Sequence, residues 1–92
     1  MYTFDQEEYD KVAGSIIKEG KLTVFPSKEK RKFLILHYFI PLFEKGTEYS
    51  EKQVNEIIMT VYPDFATIRR ALVDYGMLRR TRDCKQYWIE KE

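Results

Sequence analysis

Apolar positions recur at two periods along this chain, and together they predict a helix-rich domain closed by a hairpin. Tyr9, Val12, Ala13, Ile16 and Ile17 form one helical stripe. Asp5 and Glu8 form a D-x-x-E capping pair before it, Phe4 and Tyr9 a hydrophobic staple, and Gly20 a stop. The spacing predicts a first helix over residues 5–19. Residues 21–26 read as extended, because Pro26 disfavours helix immediately before it. Ser27 then can cap a helix over 27–43, whose run from Phe33 to Phe43 is apolar almost all round. Such a helix is expected at the centre of the fold. Pro41 removes one backbone bond there, so the helix should kink near His37 or tighten toward its end.

The second half is more sharply punctuated. Lys45-Gly46 turns the chain, and a short extended piece reaches Tyr49. Ser50 and Gln53 make a capping box for a helix over 50–61, carried by Val54, Ile57, Ile58 and Val61. Pro63 stops it and Asp64 can cap the next, over 64–75, whose buried face is Phe65, Ile68, Leu72 and Tyr75. The short connection makes a helix-turn-helix pair. Gly76 ends the second helix. A hairpin is predicted over 77–90, with Asp83-Cys84 at its tip and Leu78, Tyr87 and Ile89 on its arms. Trp88 alternates out of register with its neighbours; it is expected to cover the core edge, the alternative being exposure for stacking or a partner. Helix, strand, helix, helix and hairpin is the order of an α+β winged helix-turn-helix domain, with an additional N-terminal helix and a C-terminal β-hairpin wing.

Length bounds this picture: residues 1–92 are read as a single winged-helix domain. A chain of this size buries roughly two-thirds of its extended surface. Its 43% hydrophobic and 15% aromatic residues argue strongly against disorder. A single cysteine permits no internal disulfide, and no ligand-spaced cluster suggests a metal or cofactor. His37 stands alone and is read as a boundary or core residue. Nucleophile elbow, glycine-rich phosphate loop and HExxH are all missing, so no enzyme is expected. Neither an apolar leader nor a membrane-spanning run occurs, which makes the cytoplasm the expected compartment.

Charge redirects attention to the C-terminal half. The net value is only +1, yet acidic and basic blocks alternate. Arg69, Arg70, Arg79, Arg80, Arg82 and Lys85 stand between positions 69 and 85, opposed there by Asp74 and Asp83. A helix followed by a basic hairpin suits double-stranded DNA. Thr67 and Arg70 would enter the major groove, with Arg69 on the flank. Arg79, Arg82 and Lys85 would hold phosphate from the wing, and Lys28, Lys30 and Arg31 are candidate backbone contacts. Either Arg69 or Arg70 can instead be spent internally, Arg70 on Asp74 one turn later and Arg69 in a salt bridge to an acidic residue of the neighbouring helices. The competing reading is a non-catalytic protein-interaction or dimerisation module, a homodimer included, on the same scaffold. Cys84 in basic surroundings also allows a redox-sensing thiol.

Several segments resemble one family. They are Gly20-Lys21-Leu22, Phe25-Pro26-x-Lys28, and Tyr49-Ser50-Glu51-Lys52-x-Val54-Asn55-x-Ile57. They continue as Asp64-x-Ala66-x-Ile68-Arg69-Arg70-x-Leu72-Val73-Asp74-x-Gly76, and close with Leu78, Arg80 and Tyr87-Trp88. With these the chain resembles a bacterial domain-of-unknown-function family of winged-helix type. Its members stand alone or C-terminal to helix-turn-helix modules in predicted transcriptional regulators. The resemblance implies a bacterial regulatory protein. Pro41 and Cys84 depart from the family pattern, the latter where glycine is usual at the hairpin tip. A cysteine there makes a left-handed residue costly, so a different turn type is expected.

Overall fold

The computed structural model describes residues 2–91; Met1 and Glu92, the ends of the expected 1–92 domain, lie outside the described residues. It is α+β, with four helices and two small antiparallel hairpins. In chain order these are α1 (Gln6–Ile16), β1 (Ile17–Lys18), β2 (Lys21–Leu22), α2 (Glu29–Leu36), α3 (Glu51–Met59), α4 (Phe65–Asp74), β3 (Arg79–Arg80) and β4 (Tyr87–Trp88).

Local signals start the helices. Asp5 accepts from the Glu8 amide at 3.0 Å, and the Phe4 and Tyr9 rings sit 5.5 Å apart as a staple. The Glu8 carboxylate leaves the capping pair and binds Lys30 of α2 at 2.8 Å. Both halves of the Ser50–Gln53 box form, and Asp64 accepts from the Thr67 amide.

The first helix ends earlier than its spacing predicts. Ile17 and Lys18 leave it to pair with Leu22 and Lys21 around Glu19 and Gly20, both at positive φ (53° and 78°). Two consecutive left-handed residues are what a tight hairpin turn requires. The freed carbonyl of Ile16 is taken by the backbone amide and hydroxyl of Thr23, at 2.8 and 2.9 Å. On the far side, the Leu22 amide donates to Val61 and Lys21 Nζ to the Thr60 carbonyl (3.0 and 2.8 Å). The hairpin therefore caps the C-terminal end of α3, where a cation suits the helix dipole.

The central helix begins exposed, at Glu29 to Arg31, and is buried in its second half. Leu34, Ile35, Leu36 and Phe39 are each at most 1% exposed. Its first helical residue is Glu29, with Lys28 rather than Ser27 at the cap and no side-chain bond there. From His37 onward the bonds shorten to i→i+3, and a 3₁₀ turn, Ile40–Leu42, accommodates Pro41. Tightening, not a kink, is how the proline is absorbed. His37 Nδ1 lies 2.8 Å from the Phe33 carbonyl, against the Phe4 and Phe33 rings.

Residues 46–49 then run beside the chain's end. The Gly46 amide donates to Ile89, while Tyr49 and Tyr87 exchange two backbone bonds of 2.8 Å. Tyr49 and β3 thus flank β4 on opposite sides. At the end of α4, Gly76 takes φ +75°, and the Met77 and Leu78 amides both donate to the Leu72 carbonyl. Gly14 is different: it lies inside α1 with nothing within 4 Å of an added Cβ. Gly14→Ala is expected to stabilise the fold by about 0.5–1 kcal/mol, read as a higher urea midpoint at unchanged m-value.

Candidate nucleic-acid interface

Helix α4 carries the residues that matter, and its neighbours decide which of them are available. Its inner face, Ile68 and Leu72, is fully buried, and α3 packs alongside. Arg69 turns toward α3. Its Nη1 donates to Asn55 Oδ1, its Nε lies 3.7 Å from Glu51 Oε1, and its side chain is 13% exposed. Glu51 Oε1 also accepts the Tyr87 hydroxyl at 2.8 Å. One carboxylate at the start of α3 therefore ties α4 to the C-terminal hairpin. Burial first, then that hydrogen bond, pushes the Tyr87 hydroxyl's pKa well above the ordinary tyrosine value.

Arg70 is exposed and has no hydrogen bond or ion pair among the described residues. The same holds for Asp74 one turn later, so the pairing that the i,i+4 spacing allows does not form. Both residues line two clefts, one on each side of α4. The first, about 320 Å³, is shared with Arg80, Cys84 and Tyr87 of the hairpin. The second, about 460 Å³, is shared with Phe25, Glu29 and Lys32 at the start of α2. Thr67 also borders the second cleft, but its hydroxyl is given to Asp64 at 2.7 Å.

Tyr75 closes that second cleft by donating its hydroxyl to Glu29. Burial, followed by the bond to Glu29, pushes the Tyr75 pKa up to about 12 from 10. Above pH 10 an unfolded chain loses a proton that the folded one keeps, so stability must fall as pH rises from 10 to 12. Below pH 10 the full contribution is present. Tyr75→Phe should make the alkaline decline in melting temperature shallower without abolishing it, since Tyr87 shifts in the same direction.

At the hairpin tip the Cys84 amide donates to Thr81, and Cys84 itself takes φ +61°. This corrects the expectation of a turn without a left-handed residue. The geometry is held by other groups: the Thr81 hydroxyl donates to Asp83 (2.6 Å) and accepts from the Lys85 and Gln86 amides (3.2 Å each). The Thr81 hydroxyl and the Lys85 amide, which also donates to Asp83 at 3.1 Å, keep Asp83 below the usual carboxylate pKa. Arg80 folds over the turn onto the Thr81 and Arg82 carbonyls, 3.0 and 3.4 Å away. Arg82 and Lys85 remain exposed, with no side-chain bond or ion pair among the described residues. Arg79 stands across from Trp88 and lies 3.6 Å from Glu90, an exposed pair of little strength. Trp88 donates its indole N–H to the same Glu90, on the outer face of the hairpin and not over the core edge.

The basic start of α2 divides. Lys30 is held by Glu8 of α1, while Lys28 and Arg31 line a cleft beside Ile16 and Phe25. None of these three lines either of the two clefts beside α4. Lys32 is the residue of that run that reaches α4's second cleft, 3.5 Å from Glu29 and 5.9 Å from the Phe25 ring centroid. The sequence assigned it no site role, and it assigned none to Arg80, Glu51 and Asn55, which entered only as basic or family-matching positions. A weak signal existed for the last two: Glu51 and Asn55 lie one turn apart, on the flank of α3's apolar stripe.

Among the described residues no group of acidic, histidine or cysteine side chains could hold a metal ion, and no helix is long and apolar enough to cross a membrane. Neither the curated proteins nor the solved structures contain a match to this chain. Residues 21–89, from β2 through the last buried residue of the C-terminal hairpin, match the family described as "Uncharacterized protein conserved in bacteria (DUF2087)", and the chain belongs to that family.

Proposed function

We propose that this chain is a winged-helix protein that binds double-stranded DNA in bacterial transcriptional control, in the cytoplasm. One observation carries the reading. The Tyr49–Tyr87 pairing and the Glu51 link to Arg69 and Tyr87 hold a basic hairpin beside α4, and Arg70, Arg82 and Lys85 on that helix and hairpin have no hydrogen bond or ion pair among the described residues. The order α2, Tyr49 strand, α3, α4, β3, β4 also supports a winged helix, with α1 and the first hairpin added in front. Arg70 would sit in the major groove, and Arg82 and Lys85 on phosphate. Arg79 would join them by giving up a weak exposed pair.

Fluorescence anisotropy with a labelled random duplex tests this. Binding should weaken steeply with salt, by about 0.9 log units per log salt for each phosphate neutralised. Arg82→Glu/Lys85→Glu should abolish it. No binding at roughly 100 μM protein in low salt would sink the proposal, because non-specific binders register there. Trp88 and Arg79 on the outer hairpin face favour a second reading, a surface for a protein partner or a second copy. Oligomeric mass measured on the same samples distinguishes it.

A further inference from the structure

An acid on the presented face of a DNA-binding helix needs a reason. Asp74 is exposed in the last turn of α4, where the helix dipole disfavours a negative charge. It caps nothing, and it has no hydrogen bond or ion pair among the described residues. Arg70 stands one turn before it, equally unpartnered, and the two line the same two clefts. An unpaired acid of this kind weakens attachment to phosphate. It can contribute favourably only where DNA offers a donor.

In the major groove, that donor can be the N4 amino group of cytosine, which Asp and Glu accept from, while Arg binds guanine O6 and N7. We infer that Arg70 and Asp74 together read a C·G step, Arg70 on the guanine and Asp74 on the cytosine amino group of the same or the adjacent pair. Adenine also offers a major-groove amino group, but its N7 acceptor beside it repels a carboxylate. Asp74 is thus a specificity-determining residue that lowers affinity for all other DNA. The neighbouring acids are not competitors for this role: Glu29 is bound by Tyr75 and Lys32, and Glu51 by Arg69 and Tyr87.

This inference rests on the DNA-binding reading and is separable from it. Selection from a randomised duplex library is run for the parent, Arg70→Ala, Asp74→Ala and Asp74→Asn. The parent should recover a motif with a C·G pair. Asp74→Ala should bind random duplex as well as or better than the parent, yet lose about tenfold discrimination at the cytosine position. Asp74→Asn should shift that position toward adenine, a gain that an unfolded variant cannot produce. Arg70→Ala should lose the guanine preference and affinity together. Identical motifs from the parent and both Asp74 variants would overturn the inference while leaving salt-sensitive DNA binding intact. Failure of the parent to bind any duplex would overturn the DNA reading itself.

Discussion

Phe39→Ala is expected to cost about 3–5 kcal/mol, the largest stability loss of any substitution considered for this chain. Phe39 is 0% exposed, in the turn that follows α2, with Leu34, Ile35 and Leu36 buried just before it. Truncation removes the transfer energy of the ring and leaves a void that helices on several sides cannot all collapse into. A small domain has only about 5–15 kcal/mol in total, so the variant should show a much lower urea midpoint or populate unfolded chain in buffer. Leu42→Ala is the control. Leu42 belongs to the same apolar run but is 39% exposed, and its loss should stay below about 1 kcal/mol. Equal effects at the two positions would mean that α2 and its 3₁₀ extension are not packed as described.

Arg69→Ala should destabilise the fold by about 1–3 kcal/mol and leave the salt dependence of duplex binding unchanged. Its guanidinium joins Asn55 and Glu51 of α3 with little exposure, so truncation removes a charged donor from half-buried Asn55 and leaves Glu51 with the Tyr87 hydroxyl and solvent. The neighbouring Arg70→Ala should do the reverse. An exposed, unpartnered arginine contributes within about 0.5 kcal/mol to stability, whereas the contact it makes with DNA would be lost. Urea midpoints and anisotropy titrations on the two variants decide the matter. If Arg69→Ala flattened the salt slope and Arg70→Ala did not, the assignment of inward and outward arginines would be reversed.

Much of this architecture was legible because its signals are local. Asp5, Ser50 with Gln53, and Asp64 each announce a helix start through bonds spanning three residues. Gly76 announces an end. What stayed hidden depends on partners distant in sequence or on backbone states that composition does not fix. Ile17 continues a helical stripe, yet Glu19 accepts a left-handed conformation and the chain turns back, stabilised by Thr60 and Val61 just after α3. Arg69 and Arg70 are adjacent and chemically identical. Only the position of Asn55 and Glu51 on the neighbouring helix separates them.

Trp88 gives a different lesson. Strand alternation already implied that it faces outward if Tyr87 and Ile89 face in, and those two are 2% and 5% exposed. The habit of large aromatics to plug gaps argued the other way, and alternation prevailed. Cys84 shows a local penalty overridden. A left-handed cysteine costs about 1–2 kcal/mol, but the Thr81 and Asp83 bonds define the tip without regard to the residue at that place.

The bridge between Tyr49 and Tyr87 also sets the order in which the fold can be acquired. Helices α3 and α4 meet across a short connection and can dock early, at little cost in loop closure. Tyr49 and its partner Tyr87 are separated in sequence by both of these helices and by β3. Contacts of such wide sequence separation form late, so the transition state for folding should contain the helix pair while the hairpin is still searching for its seat. The basic hairpin would then be the last part of the molecule to mature and, on the reverse path, the first to open.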